Sequence, residues 1–256
     1  MLEFAFMRKA LLAGLLLSIA IPQVGVIMVN RKTSMIGDAL AHSSLMGVGI
    51  GLILGFDPLI GMVGICTVAA LVIEFIRKKF PQYGDMATAV VMSLSLGLAS
   101  ILSDFAPGGR SFESYLFGSI ATVTNLDLII IGLAFILLIF TCIKEYGGYL
   151  SIAIDPNTAR LSGVRVNLLN LIFTILSGVT IALAVKLVGA LMVTSLIVLP
   201  VATSLIVARS YRSTLVITTI LGIVYMMLGI LSSFYYDIKP GGAIVLAALV
   251  GMLVFF

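Results

Sequence analysis

Two side chains near the start of the chain are of types that hold metal ions. Asp38 and His42 stand four residues apart in the stretch Gly37-Asp-Ala-Leu-Ala-His-Ser-Ser44, which runs straight into an apolar, helix-like segment. His42 is the only histidine in the sequence. On a helix, residues i and i+4 share one face, with Cβ atoms roughly 5–6 Å apart. A carboxylate and an imidazole at that spacing can bind one divalent metal together. Both are costly to bury in a membrane without a partner, so such a pair reads first as a functional site. The plainer alternative is that His42 hydrogen-bonds a neighbouring helix and Asp38 caps the helix start. Two ligands are few for a metal that must be selected, because Zn2+ usually takes about four. No second histidine exists to complete the set, and neither cysteine, Cys66 nor Cys142, lies near it in sequence. A symmetric dimer meeting at this helix would bring two Asp and two His together, a geometric argument for a homodimer with one shared site.

The element that positions the pair is a membrane-spanning helix. The chain is 61% hydrophobic and 10% charged, with a mean hydropathy of +1.25. A span needs about 20 mostly apolar residues. Such segments fall at about 10–29, 34–55, 58–76, 86–103, 126–143, 166–185, 188–208, 213–231 and 241–256. The expected fold is all-α: a polytopic integral membrane protein of eight or nine transmembrane helices, with residues 1–256 forming one transmembrane domain. The apolar runs are continuous and do not alternate, which speaks against a barrel. No cleavable signal is expected, since 10–29 is too long for an h-region and no small-residue cleavage site follows it. Cys66 and Cys142 fall inside predicted spans and form no metal-ligand pattern.

Charge orients the spans. Arg31, Lys32, Arg77, Lys78, Lys79, Lys144, Arg160, Arg165, Arg209 and Arg212 share one side, against Arg8, Lys9, Arg110, Lys186 and Lys239 on the other. The richer side is expected to be cytoplasmic, with the N-terminus outside and the C-terminus inside. These cations read as orientation signals, and nothing points to nucleic acid.

The second span has two different faces. Gly47, Gly51 and Gly55 form a small-xxx-small series that lets another helix backbone approach closely. Gly47 lies roughly 140° around the helix from His42, so one face can pack while the other presents the pair to a cavity. In the long loop from Lys144 to Arg165, Asp155-Pro156 reads as an N-cap with Pro at the first helical position. Gly163 suits a left-handed stop. Residues Asn157 to Ser162 between them predict one or two helical turns outside the membrane, suited to plain packing or to docking a partner. Ser111 to Thr124 is too short to span and reads as a re-entrant or interfacial piece on the outer side. Pro200 is expected to kink its helix, with Thr194 and Ser195 bonding freed carbonyls. Lys186 is expected to snorkel from a tight outer turn. Asp57, Asp104 and Asp237 read as solvated acids at outer ends.

Catalytic motifs are missing. The sequence contains no His-Glu-x-x-His, no Gly-x-Ser-x-Gly and no Gly-x-x-x-x-Gly-Lys-Ser/Thr loop. If ATP is used, another chain hydrolyses it.

Four stretches carry a resemblance. The segment Ser34-Met-Ile-Gly-Asp-Ala-Leu-Ala-His-Ser-Ser-Leu-Met-Gly-Val48 resembles the second-helix signature of the ABC-3 type permeases of zinc, manganese or ferrous-iron ABC importers. Tyr115-Leu-Phe-Gly-Ser119 is similar to that family's short outer segment. Asp155-Pro-Asn-Thr-Ala-Arg-Leu-Ser-Gly-Val164 resembles its coupling helix, and Lys186 to Pro200 its late signature helix. Met46 stands where many members have Pro, which would straighten the second helix. The resemblance implies that Asp38 and His42 lie in the translocation path. It also implies that Asp155, Pro156, Asn157, Thr158, Ala159, Arg160, Leu161 and Gly163 form the ATPase-coupling element. The implied partners are a second permease copy, two cytoplasmic ATPase subunits that bind the ATP, an extracytoplasmic metal-binding protein and membrane lipid. The implied location is the plasma (inner) membrane of a prokaryote. The expected cargo is zinc, because a two-His, two-Asp set suits four-coordination, with manganese or ferrous iron as alternatives and no tightly bound cofactor. Two other classes compete. An ATP-independent secondary transporter or channel would often show internal repeats, which are not seen. An intramembrane enzyme would need a nucleophile near the pair.

The charge asymmetry makes a direct test of orientation. Single cysteines at positions 157 and 210, in a background without Cys66 and Cys142, are expected to be shielded from an impermeant thiol reagent in intact cells. One at position 108 is expected to react. Labelling of position 157 from outside would overturn the topology.

Overall fold

Hydrocarbon offers no water to backbone N–H and C=O groups, so a chain this apolar must satisfy them internally as helices. The computed structural model describes residues 4–105 and 109–255 and shows that outcome. Position 108, Phe256 at the end of the ninth predicted span, and the side chain of Arg110 lie outside what is described. Twelve α-helices are seen among the described residues, with no strand. They are α1 (Ala5–Asn30), α2 (Met35–Leu54), α3 (Pro58–Lys79), α4 (Gly84–Phe105), α5 (Gly109–Phe117), α6 (Asn125–Lys144), α7 (Tyr146–Ile154), α8 (Pro156–Leu161), α9 (Val166–Val188), α10 (Ala190–Val207), α11 (Tyr211–Tyr236) and α12 (Pro240–Phe255). Eight of these, α1–α4, α6 and α9–α11, are long and apolar enough to cross a bilayer, and α12 is a shorter apolar helix.

α2 lies at the centre of the bundle, against α3, α4, α9 and α10. It forms an antiparallel hairpin with α3, held by a backbone-to-backbone approach. A Cβ on Gly47 would collide with the carbonyl of Gly61, one on Gly61 with that of Gly47, and one on Gly51 with Pro58 Cα. The small-residue face therefore packs within the chain. Gly55 departs from the expected series: it is the left-handed C-cap of α2 at φ 75°, and a Cβ there would meet nothing. It serves the turn and not the packing. Asp57 then caps α3 by accepting the Leu59 N–H at 2.9 Å, a structural task for one of the acids read as merely solvated. α2 runs unbroken through Met46.

The pairing also fixes depth. Cys66, near the middle of α3, donates its Sγ–H to the Leu40 carbonyl at 3.1 Å. The start of α2 therefore lies beside the middle of α3, and α3 continues past it to Lys79. The α1–α2 turn is recessed to match, with Arg31 stacked 5.5 Å from the Phe173 ring, about two turns into α9. A lipid-facing shell surrounds this core. α4 turns Leu94 outward, and α6 turns Ile129, Ile136 and Phe140 outward.

The segment after α4 is short, as expected: α5 is followed by a loop that leads to α6. α5 packs onto α2, α9, α10 and α12, and Gly118 seats against the backbone of Leu187 and Val188. This roof buries the α9–α10 corner and changes the role of Lys186. The lysine does not snorkel, because its side chain is buried under this roof. It donates instead to Asp127 Oδ2 at 2.7 Å, with both side chains at least nine-tenths buried. Asp127 also accepts the Thr124 N–H at 2.7 Å in a capping box at the start of α6. Pro200 is accommodated inside a continuous α10.

Removing one partner of a buried ion pair leaves an uncompensated charge, typically at a loss of about 3–5 kcal/mol. Lys186→Met is therefore expected to lower resistance to unfolding in detergent by a margin of that order. The double variant Lys186→Met with Asp127→Leu should recover part of the loss. Equal stability of the single variant and the parent would show that the pair is not a structural tie.

Candidate functional site

Asp38 falls in the first turn of α2 and His42 one turn later, both on the face turned from the α3 hairpin contact. Their side chains are 26% and 11% exposed, and His42 Nε2 stands 3.7 Å from Asp38 Oδ1. That gap is too long for a hydrogen bond. It is close to the roughly 3.4 Å that separates two ligand atoms held about 2.1 Å from one tetrahedral ion. His42 Nδ1 is buried and has no hydrogen-bond partner among the described residues. Neither ring nitrogen is committed to the protein, which answers the plainer alternative that the histidine bonds a neighbouring helix. Asp38 makes no side-chain cap: the N-cap of α2 is Ser34, without a side-chain hydrogen bond.

Thr194 is the third member of the site. Its Oγ1 donates to Asp38 Oδ1 at 2.8 Å, from the second turn of α10. The hydroxyl was expected to bond a carbonyl freed by Pro200. It reaches across to α2 because α2 starts at mid-depth, level with the beginning of α10. The available signal was a Thr-Ser pair within an apolar helix, in the stretch that resembles a family signature. Beside the pair, Ser43 Oγ meets Ser95 Oγ of α4 at 2.7 Å and donates to the Ala39 carbonyl or to that serine. Among the described residues, no group of three or more His, Cys, Asp or Glu side chains comes together. One copy of the chain thus contributes one carboxylate, one imidazole and one hydroxyl. Cys66 is engaged with Leu40 and is not a member.

The loop segment is built as its caps require. Asp155 is extended at φ −156° and accepts from Asn157 N–H, Thr158 N–H and Thr158 Oγ1 at 3.0, 3.0 and 2.6 Å. These bonds, the Thr158 hydroxyl first, hold its carboxyl below the usual carboxylate range. Its cap therefore persists above the ordinary carboxylate pKa and is lost only in stronger acid. Pro156 opens α8, and Gly163 closes it at φ 83°. The Val164 N–H returns to the Ala159 carbonyl and the Gly163 N–H to that of Arg160, a Schellman stop. Ala159 is buried at 1% exposure, whereas Leu161 stands out at 88%. Before α8 comes α7 (Tyr146–Ile154), in a stretch whose sequence predicts only loop. Gly147 and Gly148 weaken its propensity, but Tyr149 and Ile152 are buried. Tyr149 packs edge-on against Phe173 at 5.8 Å between centroids, and this packing makes the helix.

A family model described as the ABC 3 transport family matches residues 3–256. A probable metal transport system membrane protein of Treponema pallidum is 35% identical over 99% of this chain and 95% of its own length. The high-affinity zinc uptake system membrane protein ZnuB of Haemophilus influenzae is 30% identical, over 96% of this chain and 94% of its own. The manganese import system permease protein ScaB of Streptococcus gordonii is 28% identical, over 99% and 92%. The solved structure of PsaBC from Streptococcus pneumoniae in complex with Fab has a TM-score of 0.88 at 26% identity, over 99% of this chain and 92% of that one. The likeness runs through every span, the roofing helix α5 and the capped loop helix α8, and the chain belongs to the ABC 3 transport family, as a multi-pass permease subunit and not the ATPase.

Proposed function

We propose that this chain, a permease of a metal-transporting ABC importer, moves zinc through a transient site made by Asp38 and His42. The observation that carries the reading is the uncommitted pair: a buried imidazole with an orphaned Nδ1, one helical turn from a carboxylate 3.7 Å away. Two copies related by a two-fold axis would supply two carboxylates and two imidazoles, the four ligands that zinc prefers. Manganese is the second reading, favoured by the Thr194 hydroxyl, because manganese takes more oxygen donors. An extracytoplasmic metal-binding protein would deliver the ion at the α5 end. Two ATPase subunits would bind ATP and dock on α8 at the other end, with the N-terminus outside and the C-terminus inside. The permease itself keeps no resident cofactor.

Asp38→Ala and His42→Ala are expected to abolish metal uptake while membrane insertion and complex assembly persist. Thr194→Val leaves both ligands in place and removes only the bond that orients the carboxylate. Such supporting partners are typically worth 10–100-fold in metal affinity, so a loss of about tenfold is expected. Normal uptake in either alanine variant would sink the site. Nucleotide-independent uptake by the chain alone in liposomes would sink the importer reading.

The exposed Leu161 on a capped helix supports α8 as the docking element. Leu161→Ser removes an apolar contact available to a partner and nothing inside the chain. Ala159→Gly loosens the helix by up to about 1 kcal/mol. Both variants are expected to keep metal binding while losing metal-dependent ATP hydrolysis and uptake together. Unchanged hydrolysis with α8 demonstrably disrupted would make the helix simple packing.

A further inference from the structure

A second polar site lies at the end of the bundle opposite α5. The recessed α1–α2 turn leaves a cavity of about 580 Å³ between the ends of α3 and α9 and the helices α7 and α8. Five basic residues line it, Arg31, Lys32, Arg77, Lys78 and Arg160, against one acid, Glu74. They come from three separate parts of the chain. Ordinary orientation signals need only lie on one side of the membrane, and nothing requires them to converge on one hollow. Glu74 lies 3.8 Å from Lys78 and also acts on Arg31, so a single acid stands against five cations in the lining. Burial lowers the Arg31 pKa; Glu74 opposes that shift and Arg77 adds to it.

The backbone adds a second observation. Lys32 is held at φ 54°, one of two non-glycine residues at positive φ among the described residues. It closes α1 in a Schellman stop, with the Thr33 N–H returning to Met28 and its own N–H to Val29. Glycine is favoured at that position, and a lysine there sits in a strained conformation. The strained residue points a cation to this cavity's lining. A third observation is the Asn170 amide, also in the lining, whose buried oxygen has no hydrogen-bond partner. Amide oxygen and nitrogen are told apart by their partners, so this group can offer a donor to a bound anion.

A divalent cation is repelled here, so the cavity is no resting place for the cargo. Arginine forks and lysine ammonium groups around a polar hollow at helix ends suit phosphate oxygens. We propose that the cavity is a binding site for a phosphate group, carried by an anionic phospholipid headgroup or supplied as free phosphate. Its occupant ties the α1–α2 turn, which leads into Asp38, to α3 and to α8. Basic pockets between membrane helices near the cytoplasmic surface bind lipid headgroups by the same chemistry.

The test uses the full chain assembled with its ATPase subunits. In nanodiscs the thermal midpoint is measured as phosphatidylglycerol replaces phosphatidylcholine; in detergent it is measured against inorganic phosphate. A saturable rise is expected. Protection by phosphatidylglycerol alone assigns the site to a headgroup, and protection by phosphate as well assigns it to the free anion; either upholds the site. Lys32→Gln and Arg160→Gln, both exposed at the rim, should each weaken half-saturation roughly fivefold. Glu74→Gln should strengthen it by a similar factor, a change of sign that lost packing would not produce. Lys9→Gln, far along α1, should leave it unchanged. The proposal fails if neither anion gives a saturable effect, if all four variants respond alike, or if the response appears only once the ATPase subunits are stripped away. The last result would mean that an acidic segment of the ATPase fills the cavity.

Discussion

An ionisable group in hydrocarbon must find its partner inside the protein, and this constraint arranges the whole bundle. Asp127 and Lys186 meet it by pairing with each other and with the Thr124 N–H. Glu74 meets it by lying one helical turn from Lys78 at the end of α3. Asp38 and His42 meet it only in part, since one carboxylate oxygen takes the Thr194 hydroxyl and the imidazole takes nothing. Asp127 and Glu74 each hold a cation, whereas Asp38 and His42 hold none; Asp127 keeps one buried oxygen, Oδ1, without a hydrogen-bond partner among the described residues. A visiting ion held between His42 Nε2 and Asp38 Oδ1 would give the imidazole and the carboxylate a shared partner while it stays.

The same constraint explains why the pair can sit so deep. The hairpin of α2 and α3 closes through Gly47 and Gly61, so the two backbones touch where side chains would hold them apart. Close approach leaves the opposite face of α2 free of that contact and turned to α4 and α10. The α1–α2 turn then stops at mid-depth because Arg31 finds the Phe173 ring there. A turn carrying Arg31, Lys32 and Thr33 would be too polar to leave in lipid. It is tolerable because it roofs a hollow lined with polar groups, the condition on which irregular backbone is found at membrane depth.

Much of this was legible in the sequence. Apolar runs of span length gave the helices, and α8 followed from local chemistry alone: Asp155 and Pro156 start it, Gly163 stops it. Asp38 and His42 were readable because one helical turn is a fixed distance. What could not be read were the contacts made across the bundle. Lys186 looked like a snorkelling residue because nothing in its own span shows that α5 covers the corner. Thr194 looked like a helix-internal hydroxyl because its partner is 156 residues away in the chain. Gly55 fitted the four-residue series by spacing, yet the turn had first claim on it. α7 was hidden because its stability comes from Tyr149 packing on Phe173 and not from its glycine-weakened propensity.

The two sites bear on each other through charge. Thr33 lines the basic cavity, and Asp38 lies five residues further on, roughly 8 Å along the helix axis. That distance is about one Debye length at physiological ionic strength, and screening is weaker still where water is scarce. A bare cluster of cations there would raise the energy of a metal ion at Asp38 and of any ion passing toward that end. A bound phosphate group would cancel much of the field, and the cation site would fill more readily for it. Affinity of the metal site and occupancy of the anion site are then linked, and the linkage is reciprocal, because each ligand must change the other's binding by the same factor.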